Sequence, residues 1–225
     1  MIVIVDYGMG NVGSIANMLK KIGAQATLSA DTYQIASADK LILPGVGAFD
    51  SCMQGLQARN LIPVLNECVL QRRIPILGIC LGMQLFTRTS EEGKLPGLGW
   101  VNANTVRFRP QEQQLVRVPH MGWNSIQIQK SGALFPSFEE DSRFYFVHSY
   151  HVVCDSQEDV TALTRYGADF VSSFEHDNIL GVQFHPEKSH KFGMKLLENF
   201  VCWAGPSLDG NLPTPTIRSQ RVAPY

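Results

Sequence analysis

"RRIPILGICLGMQLF", residues 72–86, holds an apolar run, a cysteine between two glycines at Gly78-Ile79-Cys80-Leu81-Gly82, and the first turns of an amphipathic segment. Residues 74–79 are apolar at nearly every position, the pattern of a strand covered on both faces. A doubly covered strand followed at once by a helix implies a parallel sheet with helices on both sides.

The same grammar runs back to the N-terminus. "IVIV" (2–5) leads through glycines into an amphipathic segment ending at Gly23, "QATLS" (25–29) precedes a short helix after Asp31, and "KLILPG" (40–45) precedes helices through 48–72. After about residue 100 strand-like runs follow one another directly: "GWVNANTVRF", "LVRVP", "WNSIQIQ", "RFYFVHSYHVV", "VTALTRY", "DFVSSFE" and "NILGVQF". This half reads as mixed or antiparallel. A last amphipathic helix spans roughly 189–204. Beyond it, four prolines and few apolar residues predict an extended or disordered tail. The expected fold is α/β, an open mixed sheet, parallel in the N-terminal half and flanked by helices. It forms one domain at 1–204 with an extension at 205–225.

Bulk composition narrows the function. With 225 residues, 44% hydrophobic and 17% charged, the chain is an ordinary globular domain. Nineteen Lys and Arg against 20 Asp and Glu leave no charge excess to attract nucleic acid or an anionic membrane. A small molecule or a protein is the indicated partner. Five scattered cysteines, Cys52, Cys68, Cys80, Cys154 and Cys202, form no C-x-x-C pair, which fits a reducing cytoplasm. "IVIV" is broken at once by Asp6, Gly8 and Gly10, so neither a signal peptide nor a spanning helix is expected.

Most free cysteines are small buried hydrophobes, and Cys52, Cys68, Cys154 and Cys202 are expected to be of that kind. Cys80 differs because its flanking glycines match a G-x-S-x-G elbow, where a strained strand-to-helix turn holds out a nucleophile. Such a nucleophile needs a base. Of the six histidines, His185 stands at the end of an apolar strand in "GVQFHPEKS", with Glu187 two residues on to orient it. Alone, His-Pro-Glu is a plain exposed turn; beside an elbow it becomes a base with its orienter. His148 in "YFVHSYH" is the alternative base, though a strand histidine among aromatics more often packs or lines a pocket.

Oxyanion stabilisation requires backbone N–H donors. The amide of Leu81 follows the nucleophile, and Gly45-Val46 in "LPGVGAF" ends a neighbouring parallel strand, where ligands gather. An ordinary glycine turn is the alternative there. "GMGNVG" (8–13) also fits G-x-G-x-x-G after a strand, with Asp31 near the place of a ribose-binding acid. Dinucleotide binding would leave the elbow and His-Pro-Glu unexplained.

"GICLGMQ" together with "QFHPEKS" resembles the class I, or triad, glutamine amidotransferases. "DYGMGNVGSI", "PGVGAF", "VPHMGWN" and "YFVHSYH" narrow the resemblance to members serving histidine biosynthesis, over residues 1 to about 204. It implies a flavodoxin-like glutaminase with no cofactor and no metal, in which Cys80, His185 and Glu187 release ammonia from L-glutamine. Leu81, Gly45 and Val46 would form the oxyanion hole, and Gly47, Gln84, Glu92, Ser149 and Tyr150 the glutamine pocket. The resemblance further implies a separate (β/α)8-barrel cyclase subunit in a heterodimer, with Asn11, Tyr145 and Lys188 at the junction. Activity would stay low until that partner and its ligand rearrange Gly45-Val46. Three rivals stand beside this reading: the same glutaminase feeding a sugar amidotransferase, a stand-alone cysteine hydrolase, and a non-catalytic binding module.

Overall fold

In the computed structural model, which describes residues 1–109, 116–136, 138–139 and 142–206, strand and helix alternate through the first half of the chain. The elements are β1 (Ile2–Val5), α1 (Val12–Lys21), β2 (Ala26–Ser29), α2 (Thr32–Ala36), β3 (Lys40–Gly45), α3 (Phe49–Ala58), α4 (Ile62–Asn66) continuing into a π-helical turn (Glu67–Gln71), β4 (Ile76–Cys80) and α5 (Leu81–Leu85). The second half adds β5 (Ala103–Arg107), β6 (His120–Ser125), β7 (Gln127–Ile128), β8 (Arg143–His148), β9 (Tyr150–Cys154), a 3-10 turn (Gln157–Asp159), β10 (Val160–Tyr166), β11 (Ala168–His176), β12 (Ile179–Val182), a second 3-10 turn (Pro186–Lys188) and α6 (His190–Cys202).

The main sheet runs in the order β2-β1-β3-β4-β12-β11-β10-β7. The first five strands are parallel and the remainder antiparallel. Side chains alternate across it with the strand period of two. Val3, Val5, Leu41 and Leu43 enter the core on one face, and Ile2, Ile4, Ile42 and Leu77 the core on the other. Helices close both faces through 3.6-period stripes: Phe49, Cys52, Met53 and Leu56 of α3, and Gly193, Leu196, Leu197 and Phe200 of α6. Truncating Leu196, which is fully buried, to alanine would cost about 2–5 kcal/mol.

One pairing positions the site. The late strand β12 lies parallel to β4, with Val182 opposite Ile79, while β3 flanks β4 from the other side with Gly45 opposite Cys80. The chain therefore leaves β3, β4 and β12 at one carboxyl edge, where ligands bind in such sheets.

Several expectations need correction. "LVRVP" forms no strand in its described residues 116–119; Pro119 lacks an N–H, and the Arg117 carbonyl is taken by the Tyr166 hydroxyl at 2.7 Å. "RFYFVHSYHVV" is two strands that part at Ser149: β8 pairs with β6 in a small separate sheet, and β9 pairs with β5 and β11. Cys202, expected to be buried, is exposed at the end of α6, whereas Cys52, Cys68 and Cys154 are buried. Asp31 caps α2 by accepting from the Gln34 amide at 2.8 Å, which places it in a local structural role. The 205–225 extension lies outside the described residues from 207 onward.

Candidate active site

Strand β4 passes into α5 through Cys80 alone. Its φ of 55° and ψ of −112° put a non-glycine residue in a conformation that side chains resist. The surrounding glycines permit this tight reversal by letting α5 begin in direct contact with the sheet. A Cβ on Gly82 would lie 1.9 Å from the Leu43 carbonyl oxygen, and one on Gly78 would lie 2.7 Å from the Met83 nitrogen. On Gly45 it would lie 2.4 Å from the Gly82 nitrogen. The two glycines of G-x-C-x-G are thus what this close packing demands.

Past β12 the chain bends at Gln183 and Phe184, and this bend brings both Gln183 and His185 to the Cys80 sulfur. Gln183 donates through Nε2 to Cys80 Sγ at 3.7 Å. His185 lies beside the same sulfur, and its Nδ1 hydrogen-bonds Glu187 Oε1 at 2.8 Å. The histidine is fixed at both backbone ends: its N–H donates to the Tyr145 carbonyl at 2.9 Å, and its carbonyl accepts from Ser189 Oγ at 2.6 Å. Burial works against charge on His185, but the Cys80 sulfur and the Glu187 carboxylate outweigh it and push the imidazole pKa up to about 10. The pair is nearly sealed, at 3% and 1% side-chain exposure.

A cavity of about 320 Å³ opens over the sulfur. Val46, Gly47, Leu81 and Gln84 line it near the elbow, Glu92 stands on one side, and Ser149, Tyr150, His148 and Lys188 close the other. All five residues expected to form a glutamine pocket therefore border it. Just past Glu92 the chain is tied down by Asp50, whose carboxylate accepts from the Lys94 amide at 2.9 Å and the Leu95 amide at 3.0 Å. Glu92 itself accepts from the Phe49 amide at 3.0 Å. Burial raises its pKa, the Phe49 N–H pulls it back, and Asp50 adds to the rise. A ligand ammonium would restore what burial costs that carboxylate.

Two buried side chains brace the strand before Val46: the Tyr7 hydroxyl donates to the Pro44 carbonyl, and Cys52 Sγ donates to the Val46 carbonyl at 3.6 Å. The Gly45-Val46 peptide lies between these anchors. Asn11 caps α1 without a side-chain cap bond, and α1 packs against the 186–188 turn, where Lys188 Nζ sits 5.6 Å over the Tyr145 ring. The three residues expected at the junction thus occupy one end of the molecule.

His148 lines the cavity, but Nδ1 bonds the Tyr150 carbonyl at 2.7 Å and Nε2 faces His120 at 3.1 Å, so neither nitrogen is directed to the sulfur. Sequence reasoning did not single out Gln183, His120, Tyr7 or Trp123. Gln183 lies only two positions before His185, in the bend that follows β12; the others depend on pairings distant in sequence. Among the described residues no cluster of His, Cys, Asp and Glu is placed to hold a metal ion, and no helix is long and apolar enough to cross a membrane.

The model of the family described as "Glutamine amidotransferase class-I" matches residues 3–203. A protein of Methanococcus maripaludis called imidazole glycerol phosphate synthase subunit HisH 2 is 54% identical, over 89% of this chain and 98% of its own length. One of the same name from Pseudomonas aeruginosa is 49% identical with the same coverage. A HisH subunit from Sulfurimonas denitrificans is 48% identical, over 89% of this chain and 97% of its own. Among solved structures, a glutamine amidotransferase has a TM-score of 0.69 at 18% identity, covering 89% of this chain and 97% of that one. PurLQS from Thermotoga maritima has a TM-score of 0.63 at 17% identity, covering 89% and 96%, so these two share the fold.

Proposed function

Because this chain belongs to the class I glutamine amidotransferases, we infer that it is the glutaminase subunit of an imidazole glycerol phosphate synthase, serving histidine biosynthesis. Cys80 Sγ attacks the side-chain carbonyl carbon of glutamine. The C–N bond breaks as His185 gives its Nε2 proton to the departing nitrogen, ammonia leaves, and a γ-glutamyl thioester remains. Water then surrenders a proton to His185 and attacks the thioester, releasing glutamate and restoring the sulfur. Glu187 holds the Nδ1 proton, keeping Nε2 toward the sulfur and stabilising the imidazolium.

The amides of Leu81 and Val46 stabilise the tetrahedral oxyanions. Glu92 receives the α-ammonium, Ser149 and Tyr150 receive the α-carboxylate through backbone N–H, and Gly47 and Gln84 complete the pocket. The observation carrying this reading is that Cys80 and His185, with Glu187 bonded behind the imidazole, border one cavity together with all five pocket residues.

Ammonia that escapes into water is protonated and lost as a nucleophile, so a second active site must be docked at the mouth. The partner is a (β/α)8-barrel cyclase subunit, and the heterodimer works in the cytoplasm. Its docking surface includes Asn11, Tyr145 and Lys188. Beside them Trp123 and Met121 on β6 are 46% and 62% exposed, the kind of apolar patch that marks an interface. Anchored carbonyls on either side of Gly45-Val46 let that peptide turn without moving the strand, which is how the barrel and its ligand switch on the oxyanion hole.

Glutamate release measured for the chain alone, with the barrel, and with barrel plus phosphoribosyl ligand tests the reading. Strong stimulation and rescue of a histidine auxotroph are expected. Equal activity in all three conditions contradicts the gating, and failure to rescue alongside intact glutaminase activity contradicts the histidine assignment.

A further inference from the structure

Behind the cavity, His120 of β6 and His148 of β8 face each other between two backbone carbonyls, and that arrangement dictates where every proton sits. At one end, Asn124 Nδ2 contacts the Arg165 carbonyl at 3.0 Å and His120 Nε2 at 3.3 Å. An amide NH2 facing a carbonyl is a donor, and its second hydrogen goes to His120 Nε2. At the other end, His148 Nδ1 lies 2.7 Å from the Tyr150 carbonyl, which only accepts, so His148 carries its hydrogen on Nδ1. In between, His120 Nδ1 and His148 Nε2 are 3.1 Å apart. With Nε2 of each ring accepting, His120 is also an Nδ1–H imidazole. One hydrogen-bond direction therefore runs from Asn124 through both rings to Tyr150.

The surroundings keep it so. His120 stacks on Tyr166 and Phe146 with ring centroids 3.9 and 4.8 Å away, and His148 sits 5.2 Å from both Phe108 and Phe170. Burial alone drives the His120 pKa down to about 4. For His148 burial is again the main cause, with His120, His151 and His185 nearby, and the value falls to about 3. An extra proton on either ring would set two donors against each other.

The chain of hydrogen bonds ends on the rim of the glutamine pocket. The Tyr150 carbonyl also accepts from Gln84 Nε2 at 3.1 Å, and the Ser149 carbonyl accepts from the Phe108 amide at 3.0 Å. Both carbonyls that would repel a carboxylate are thus held by protein donors. At the far end, Asn124 follows exposed Trp123 on β6, the strand that carries the apolar docking patch.

We propose that His120 and His148 are positioning residues for the glutamine α-carboxylate: neutral and both in the Nδ1–H form, they fix the Ser149-Tyr150 rim and tie it to strand β6. The proposal rests on the reading of that rim as the carboxylate site. Two measurements test it. Ring-nitrogen NMR of the full-length chain labelled with 15N histidine, at neutral pH, is expected to show pyrrole-type Nδ1 and pyridine-type Nε2 in both rings. An Nε2–H or doubly protonated form in either ring overturns it, with no need for turnover.

The second is the kinetics of His120→Leu in the complex with the barrel subunit. It should raise the glutamine KM about three- to tenfold, the worth of one buried hydrogen bond, with kcat within about twofold. His120→Asn, which can still place a donor toward His148, should restore KM to within about twofold of the parent. An unchanged KM, or an equal fall in kcat and kcat/KM, overturns the positioning role while leaving the glutaminase standing. Absence of glutamine turnover in the parent complex overturns both.

Discussion

His185 and His148 border the same cavity and are both buried, yet they bind protons in opposite ways. His185 is pushed up to about 10 and His148 down to about 3. Burial penalises the imidazolium in both; only His185 has a sulfur and a carboxylate against its ring, whereas His148 has a carbonyl and another imidazole. Depth sets the penalty, and the identity of the partner decides the sign. One wall of the pocket is thereby equipped to move protons and the other to hold still.

Each way of breaking this contrast has an expected size. Cys80→Ala removes the group that reacts and the first partner supporting charge on His185. Steady-state glutaminase assays of the complex should show a loss of about 10^6-fold in kcat. Glu187→Gln leaves the nucleophile but takes away the charge that orients Nδ1, for which about 10^4-fold is expected in the same assay. Its pH–rate profile should also show His185 titrating below its parent value.

The opposite wall responds through stability rather than rate. His120 and His148 have folded pKa values below the unfolded value near 6.5, so the unfolded chain binds more protons between those limits. Their stabilising contribution is complete above about pH 6.5 and is lost as pH falls toward about 4 and about 3. Each contributes up to about 1.4 kcal/mol per pH unit, and urea unfolding between pH 7 and 5 should reveal the slope. Replacing either histidine with a non-titrating residue should flatten it. The smallest effect belongs to Gln183→Leu, which cuts the contacts joining the two walls at Gln84 and Cys80. About 1 kcal/mol, read as a few-fold fall in kcat/KM, is expected.

The proton-moving wall was the more legible of the two in the sequence. Cys80 with its glycines, and His185 with Glu187, are local motifs whose side chains need only a strand before and a turn after. The parallel alternation from β1 to α5 was visible for a similar reason, since each strand announces itself by an apolar run. The quiet wall depends on which strands pair. "RFYFVHSYHVV" carries the alternation of one strand, but its two halves serve different sheets, and the break at Ser149 creates the pocket rim. Nothing local in "VPHMGWN" announces that His120 will meet His148 across β6 and β8. "LVRVP" misled because β-branched residues suggested a strand where, among the described residues, Pro119 and the Tyr166 contact leave irregular chain that bends into β6.

Everything proposed for the catalytic wall requires a covalent bond to form at Cys80. Acid-quenching the complex during glutamine turnover, then mapping the digested chain by mass spectrometry, tests it directly. A glutamyl adduct on the peptide containing Cys80, absent without glutamine and removed by hydroxylamine, is the expected result. Steady glutamate release with that cysteine unmodified throughout, or with the adduct on another residue, would contradict it.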